Sequence, residues 1–344
     1  MAQHFLLSPE AKTINIEKII LLSDIQAEKQ FRMIRWSDTN GKPVCSECGS
    51  TSYWKMKSSK RYRCADCKHT YSVTSGTIFA DHKLPLRKYI LAIALFTQHK
   101  KGLSAISLSE MLGVQYKTAF VLGHKLRAVI VDNQDDSKLE GVVEMDGCYT
   151  GSYIRPQNDI NNRVDRRLAM NLKGTKRCHI VVRQRVDINV KNNMNITQGA
   201  IKTRIFSTMG ETTNAIENIA INNIELGSTV HSDGAKGYNV LNKSFDSIQG
   251  DHSISYVGKD GECSNQAESF FARFRRMQIG VHHKLSNLYL SNYLGEVAYR
   301  EDLRRKSNGY MLNDIMKKAM NTPTHNEWCG YWQSNKRTNE RLVA

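Results

Sequence analysis

Four cysteines constrain this chain more than any other feature. Cys45 and Cys48 form one C-x2-C step and Cys64 and Cys67 another, with 15 residues between the steps. Two knuckles at this spacing place four thiolates around one tetrahedral Zn²⁺ and leave the ion no open coordination position. The quartet therefore predicts a structural zinc ribbon and not chemistry. Gly49 after the first knuckle and Lys68 after the second suit tight turns with exposed amides. The interval YWKMKSSKRYRC, Tyr53 to Cys64, alternates aromatic and basic residues, as expected of a hairpin that faces phosphate. Cys148, Cys178, Cys263 and Cys329 are scattered and read as ordinary buried thiols. A disulfide scaffold would be shorter and denser in cysteine.

Charge narrows the partner. Lys and Arg number 49 against 33 Asp and Glu, a net charge of +16 over 344 residues. Such an excess favours a polyanion, nucleic acid above all, and exceeds the magnitude of about 2–8 that solubility asks of a small domain. The stretch from Asn161 to Arg185 concentrates it, with Arg166, Arg167, Lys173, Lys176 and Arg177 the candidate DNA contacts. The longest apolar run, YILAIALF (Tyr89 to Phe96), is far shorter than the roughly 20 residues a bilayer requires. The opening MAQHFLLSPEAK lacks a charged segment followed by an apolar core. A cytoplasmic protein is expected, with no membrane partner.

Along the chain, residues 1–36 read as helical, with Ile16, Ile19, Ile20, Phe31 and Ile34 at helical spacing. SDTNGKP, Ser37 to Pro43, is turn chemistry and leads into short strands. Leu86 to Ile130 is helical again. Within it LSAISLSEMLGVQYKTAFVLGHKLRAVI has the shape of a helix-turn-helix. Ser107 or Ser109 is the candidate cap of the first helix, Gly113 the turn, and Tyr116 to Arg127 the second helix. Tyr116 and Lys117 would then stand at the end of the helix where base edges or phosphates are met. Strand-like runs alternate with turns from about 139 to 257, and the chain reads as mostly helical from Ser264 onward.

Three acids stand out. Asp146 interrupts an apolar strand, GVVEMDGCYTG, just before a glycine. Asp233 does the same in STVHSDGAKGY. Each Asp-Gly pair alone is common turn chemistry at a strand end, but two such pairs join a third acid on a helix. In SNQAESFFARFRR, Asn265, Glu268 and Arg275 share a face, while Phe270, Phe271 and Phe274 supply packing. Asp146, Asp233 and Glu268 would converge to hold two Mg²⁺ ions, hard cations that prefer oxygen ligands. A pair about 3.5–4 Å apart clamps an in-line phosphodiester displacement. Arg275 would sit toward the phosphates. In the plainer alternative, Glu268 and Arg275 are solvated and Asn265 caps the helix. Glu144, two residues before Asp146 on the same strand face, reads as an edge-strand acid.

With these motifs in order, the chain resembles an insertion-sequence transposase of the DDE class. More narrowly, it resembles the zinc-ribbon group called ISXO-two-like, related to the Merlin elements. The matching stretches are RYRCADCKHTYSVTSGTIFADHKLPLRKYILAIALF, VEMDGCYTG, VHSDGAKGY, SNQAESFFARFRR and GVHHKLSNLYLSNYLGEVAYRED, covering most of residues 40 to 302. The resemblance implies a multidomain α+β chain. An N-terminal helical segment (1–36), a zinc ribbon (37–82) and a helix-turn-helix region (83–135) would precede an RNase H-like α/β catalytic domain (139–305), a mixed sheet with flanking helices. A C-terminal helical tail (306–344) would follow. It also implies Mg²⁺-dependent strand cleavage and transfer at element ends. The partners would be terminal inverted repeats and target DNA, bound by a homodimer or higher oligomer at the nucleoid. Carried over by position, the catalytic acids are Asp146, Asp233 and Glu268, and the third role has also been ascribed to an Asn at the place of Asn265. Arg275 or Arg276 stands where the group has Lys, and His282 and His283 fall where it has His. The rival readings are a zinc-ribbon regulator with an inactive RNase H-like domain and a host nuclease. A nuclease would need no dedicated DNA-reading domains.

Overall fold

The computed structural model describes residues 5–57, 59–151, 156–165, 174, 176–186, 199–250 and 264–343. The chain divides into two compact units, Met1–Gln134 with Leu303–Arg337, and Asp135–Asp302 with Thr338–Ala344.

In the first unit, the helical reading of the opening residues resolves into α1 (Ile16–Ile20) and α2 (Asp24–Arg35). A capping box starts α2: Gln26 N donates to Ser23 Oγ (3.2 Å) and Ser23 N to Gln26 Oε1 (2.8 Å). A three-stranded antiparallel sheet follows, β1 (Tyr53–Lys55), β2 (Tyr62–Cys64) and β3 (Thr70–Tyr71), in that order. Its apolar support is aromatic, with the Trp36 ring edge-on to Tyr62 and Tyr71 at 6.1 and 6.4 Å. Arg35 ties α2 to the end of the ribbon through the carbonyls of Val73 (2.7 Å) and Ser75 (2.6 Å). The long helical stretch after it breaks twice, into α3 (Leu86–Gln98), α4 (Ala105–Leu112) and α5 (Tyr116–Asp132). Neither Ser107 nor Ser109 caps α4. Ser104 does, accepting from Ser107 N at 3.0 Å, because the chain turns at Gly102, whose φ of 93° places the next serine at the cap. Gly113 closes α4 in the left-handed conformation, φ 57°.

The second unit is built on a five-stranded mixed sheet: β4 (Val142–Thr150), β5 (Arg177–Arg185), β6 (Ala200–Thr208), β7 (Thr229–Asp233) and β8 (Asp246–Gly250). The order is β6-β5-β4-β7-β8. β4, β5 and β6 are antiparallel neighbours, whereas β4, β7 and β8 run parallel. Side chains alternate across β4. Val143 and Met145 join a core with α6 (Thr213–Asn223), while Cys148 joins one with α7 (Asn265–Met277) and α8 (Leu290–Asp302). The sequence reading of turns between strands missed α6, although Ile216, Ile219 and Ala220 keep helical spacing and are all buried. α9 (Asn308–Asn321) and α10 (Asn326–Cys329) return to the first unit.

The three phenylalanines of α7 do what their spacing asks: Phe270, Phe271 and Phe274 are buried against β4, β5 and α8. Phe270→Ala is expected to cost about 3–5 kcal/mol. Denaturant-dependent amide exchange of β4 and β5 would register that loss, and an unchanged exchange midpoint would show that α7 does not depend on this ring.

Candidate active site

The quartet forms as its spacing requires. The four sulfurs lie within 4.8 Å of one another, with Cys45 and Cys67 Sγ 3.6 Å apart and Cys48 and Cys64 Sγ 3.5 Å apart. Tetrahedral thiolates at the usual zinc–sulfur length sit ~3.8 Å apart, so the donor set fits Zn²⁺. Gly49 and Lys68 both turn with positive φ, 73° and 61°, directly after the second cysteine of each knuckle. The hairpin between the knuckles is present, with Tyr53 paired to Cys64. Of the scattered cysteines, Cys148 and Cys178 are buried and Cys329 is partly so, while Cys263 lies outside the described residues.

Asp146 does not end a strand. It sits in the middle of β4, the central strand, opposite Val181. Asp233 is the last residue of β7, the parallel neighbour of β4. Glu268 lies in the first turn of α7, which packs on the same face of β4 that carries Asp146. Glu268, Asn265 and Arg275 are exposed on one side of α7, with the phenylalanines buried on the other. Burial pushes the Asp146 carboxyl up to about 7. The Gly147 amide, 2.7 Å from Asp146 Oδ1, pulls it down, and the negative charges of Glu211, Asp233 and Glu268 add to the rise. Such crowding of like charge is what a bound cation relieves. The oxygens are not drawn as tight as the quartet, which is the one set of three or more such donors within 4.8 Å among the described residues.

Glu211 is the acid that the sequence reading missed. It lies between β6 and α6, and the Tyr238 hydroxyl donates to its Oε1 while its own amide donates to the Tyr149 hydroxyl at 3.2 Å. Its carboxylate fills the space above Gly147, where a Cβ would collide with it. Gly147 is therefore a site of close approach inside a strand, not a turn residue. GETT carries no motif that would have flagged Glu211.

Two other readings are corrected. Asn265 is the first residue of α7, and Ser264 holds the cap position. Glu144 is not an edge acid, because β4 has neighbours on both sides and Glu144 is fully buried. Its Oε2 accepts from Gln266 N (2.7 Å) and Ala267 N (3.0 Å), so it does the capping that the plainer alternative gave to Asn265. Its Oε1 accepts from Arg185 Nε at 2.6 Å. The His282 ring packs edge-on against Tyr293 at 4.7 Å, and His283 follows with φ 55°.

Of the candidate DNA contacts, Arg166, Arg167 and Lys173 lie outside the described residues. Lys176 places its ammonium 4.3 Å from the centre of the Tyr149 ring. Arg177 is held internally by Glu340, at 2.6 and 3.0 Å. At the start of α5, Tyr116 and Lys117 are exposed. The Lys117 ammonium lies 5.1 Å over Trp332 and that of Lys336 5.0 Å over the same ring, while Trp332 Nε1 donates to the Lys117 carbonyl at 3.3 Å. This aromatic and basic cluster draws on the C-terminal residues, which the sequence reading left without a role.

Residues 138–302 match the ISXO2-like transposase domain, and residues 22–70 match the transposase zinc-ribbon domain. The chain is thus similar to an ISXO2-like transposase domain behind a transposase zinc ribbon. It is also similar to an uncharacterized protein in the transposable element ISH50 of Halobacterium salinarum. That similarity is 24% identity over 304 residues, covering 87% of this chain and 98% of that protein. Glu144, Asp146, Glu211, Asp233 and Glu268 all fall inside the stretch that matches the transposase domain, and the quartet falls inside the stretch that matches the zinc ribbon. Among the described residues no helix is long and apolar enough to cross a membrane.

Because structural zinc supplies the folding energy of small ribbons, Cys45→Ser is expected to lower bound metal from about one zinc per chain toward none. The transposase domain should stay folded. Native mass spectrometry decides this, and a wild-type chain that carries no zinc refutes the assignment.

Proposed function

We propose that this chain is a DNA transposase that binds the ends of its insertion sequence and catalyses strand cleavage and transfer at Asp146, Asp233 and Glu268. The observation that carries this reading is the gathering of acids inside the stretch that matches the transposase domain: a half-buried Asp146 on the central strand, its carboxyl pushed up by burial first and then by the charges of Glu211, Asp233 and Glu268. The strand order β6-β5-β4-β7-β8, three antiparallel and two added in parallel, supports an RNase H-like catalytic domain. It sets Asp146 beside the end of β7.

The donors are carboxylate oxygens, which suit hard divalent cations such as Mg²⁺. Cations bound there would supply Lewis acidity and charge neutralisation for an in-line displacement at phosphorus. The protein's own part is to hold the acids on rigid elements, with Asp146 and Asp233 on adjacent strands and Glu268 on a helix fixed by three phenylalanines. Arg275 is exposed on the acid-bearing side of α7, where a phosphate would meet a fork of donors. The zinc ribbon and the α4–α5 pair would read the DNA ends, with Tyr116 and Lys117 at the start of α5 and a net charge of +16 behind them. A regulator with an inert domain accounts for the zinc and the charge, but it has no use for the four crowded acids.

Asp146→Ala and Asp233→Ala are expected to abolish Mg²⁺-dependent nicking of the element's own ends while DNA binding stays nearly intact, since each change removes negative charge from a basic protein. A gel assay with either variant reads this out, and normal cleavage by either one ends the proposal.

The third acid is decided by comparison. Glu268→Gln keeps the shape but removes the charge, so cleavage should fall by orders of magnitude, with Mn²⁺ restoring part of it. Asn265→Ala, at an exposed first helical position, should cost within about 0.5 kcal/mol of stability and little rate. The reverse ranking of the two cleavage rates would move the third role to Asn265.

A further inference from the structure

The first turn of α7 is gripped by two buried side chains that the proposed chemistry does not use. Glu144 accepts from the amides of Gln266 and Ala267 with one carboxylate oxygen and from Arg185 with the other. Arg183, also fully buried, donates to the Gln266 carbonyl at 2.6 Å and lies 5.6 Å over the Phe270 ring. A carboxylate out of water is tolerated only when its charge is answered, here by a guanidinium and by the positive end of a helix. A serine or aspartate of the helix itself caps most helices locally. This helix takes its cap from the sheet instead.

The choice of strand carries the argument. Glu144 precedes Asp146 by two residues on the same face of β4, and the amides it holds lie one and two residues before Glu268. One side chain thus joins the strand bearing the first acid to the helical turn bearing the third. Resting on the reading of these acids as the cation site, we propose that Glu144 is a positioning residue that sets the spacing between Asp146 and Glu268, with Arg183 holding the same turn from its carbonyl side. A neutral side chain of the same shape at 144 keeps an acceptor oxygen but loses the charge that binds two amides and Arg185 together. The turn then moves relative to β4, and cations bind more weakly. A merely stabilising cap would lower the melting temperature and leave cation affinity as it was.

The test uses the full chain with its zinc, comparing wild type, Glu144→Gln, and Ile219→Ala, a destabilising control from the core on the other face of the sheet. Two quantities are read: Mn²⁺ affinity by electron paramagnetic resonance without DNA, and the Mg²⁺ concentration for half-maximal nicking. For Glu144→Gln both should weaken by roughly 10-fold or more, as for partners that orient metal ligands, with zinc content and DNA affinity unchanged. The control should lose stability without either shift. Wild-type cation affinity in Glu144→Gln, or an equal shift in the control, overturns the proposal. Should Glu144→Gln not fold, Arg183→Lys replaces it, with a shift in the same direction expected and an unshifted Mn²⁺ affinity overturning the proposal. A wild-type chain that binds no Mn²⁺ and cuts nothing instead defeats the underlying catalytic reading, a result separate from either variant.

Discussion

On one face of its central strand the second unit carries two carboxylates, a fully buried Glu144 and a half-buried Asp146, and the neighbouring elements answer each in a different way. Charge in a protein interior must be paired, hydrogen-bonded or neutralised. Glu144 is paired: Arg185 and two amides of α7 take both its oxygens. Asp146 is left with one amide and three acidic neighbours, and its carboxyl rises to about 7. The first arrangement fixes a helix and the second creates a demand for positive charge. Two residues of one strand thus meet the same cost of burial in opposite ways.

The remainder of that face follows from this pairing. α7 must approach β4 closely enough for its first-turn amides to reach Glu144, which brings Phe270, Phe271 and Phe274 into contact with β4, β5 and α8. Arg183 needs its own counter-charge and finds it in Glu301 of α8 at 3.5 Å, a residue that Arg273 of α7 also engages. A chain of ion pairs therefore runs beneath α7 and α8. The other face is held by apolar packing, with Val143, Met145, Ile180 and Val182 against Ile216 and Ile219.

The ribbon solves a different problem. Three strands of two or three residues each bury too little apolar surface to fold unaided. The thiolate quartet and an aromatic cluster of Trp36, Tyr62 and Tyr71 take the place of a core. Zinc binding and folding are therefore one event in this segment, whereas the transposase domain has its own apolar layers on both sides of the sheet.

Much of this was readable in the residues because it is local. Knuckle spacing is a property of a few consecutive residues, and so are the positive φ of Gly49 and Lys68 and the phenylalanine stripe of α7. The carboxylates of Asp146, Asp233 and Glu268 stood out as acids on apolar elements, and α6 was missed although Ile216, Ile219 and Ala220 carried its signal. What the residues alone did not reveal depends on distant partners. Glu144 looked like an edge acid until its bonds to α7, 122 and 123 residues away, showed it to be a buried cap. Glu211 joined the acids only through the closeness of its loop to Gly147 and Tyr238, and Trp332 met Lys117 across 215 residues. Spacing along the chain encodes what one turn or one strand does. Which charges share a low-dielectric face is decided only when separate segments close over the same sheet.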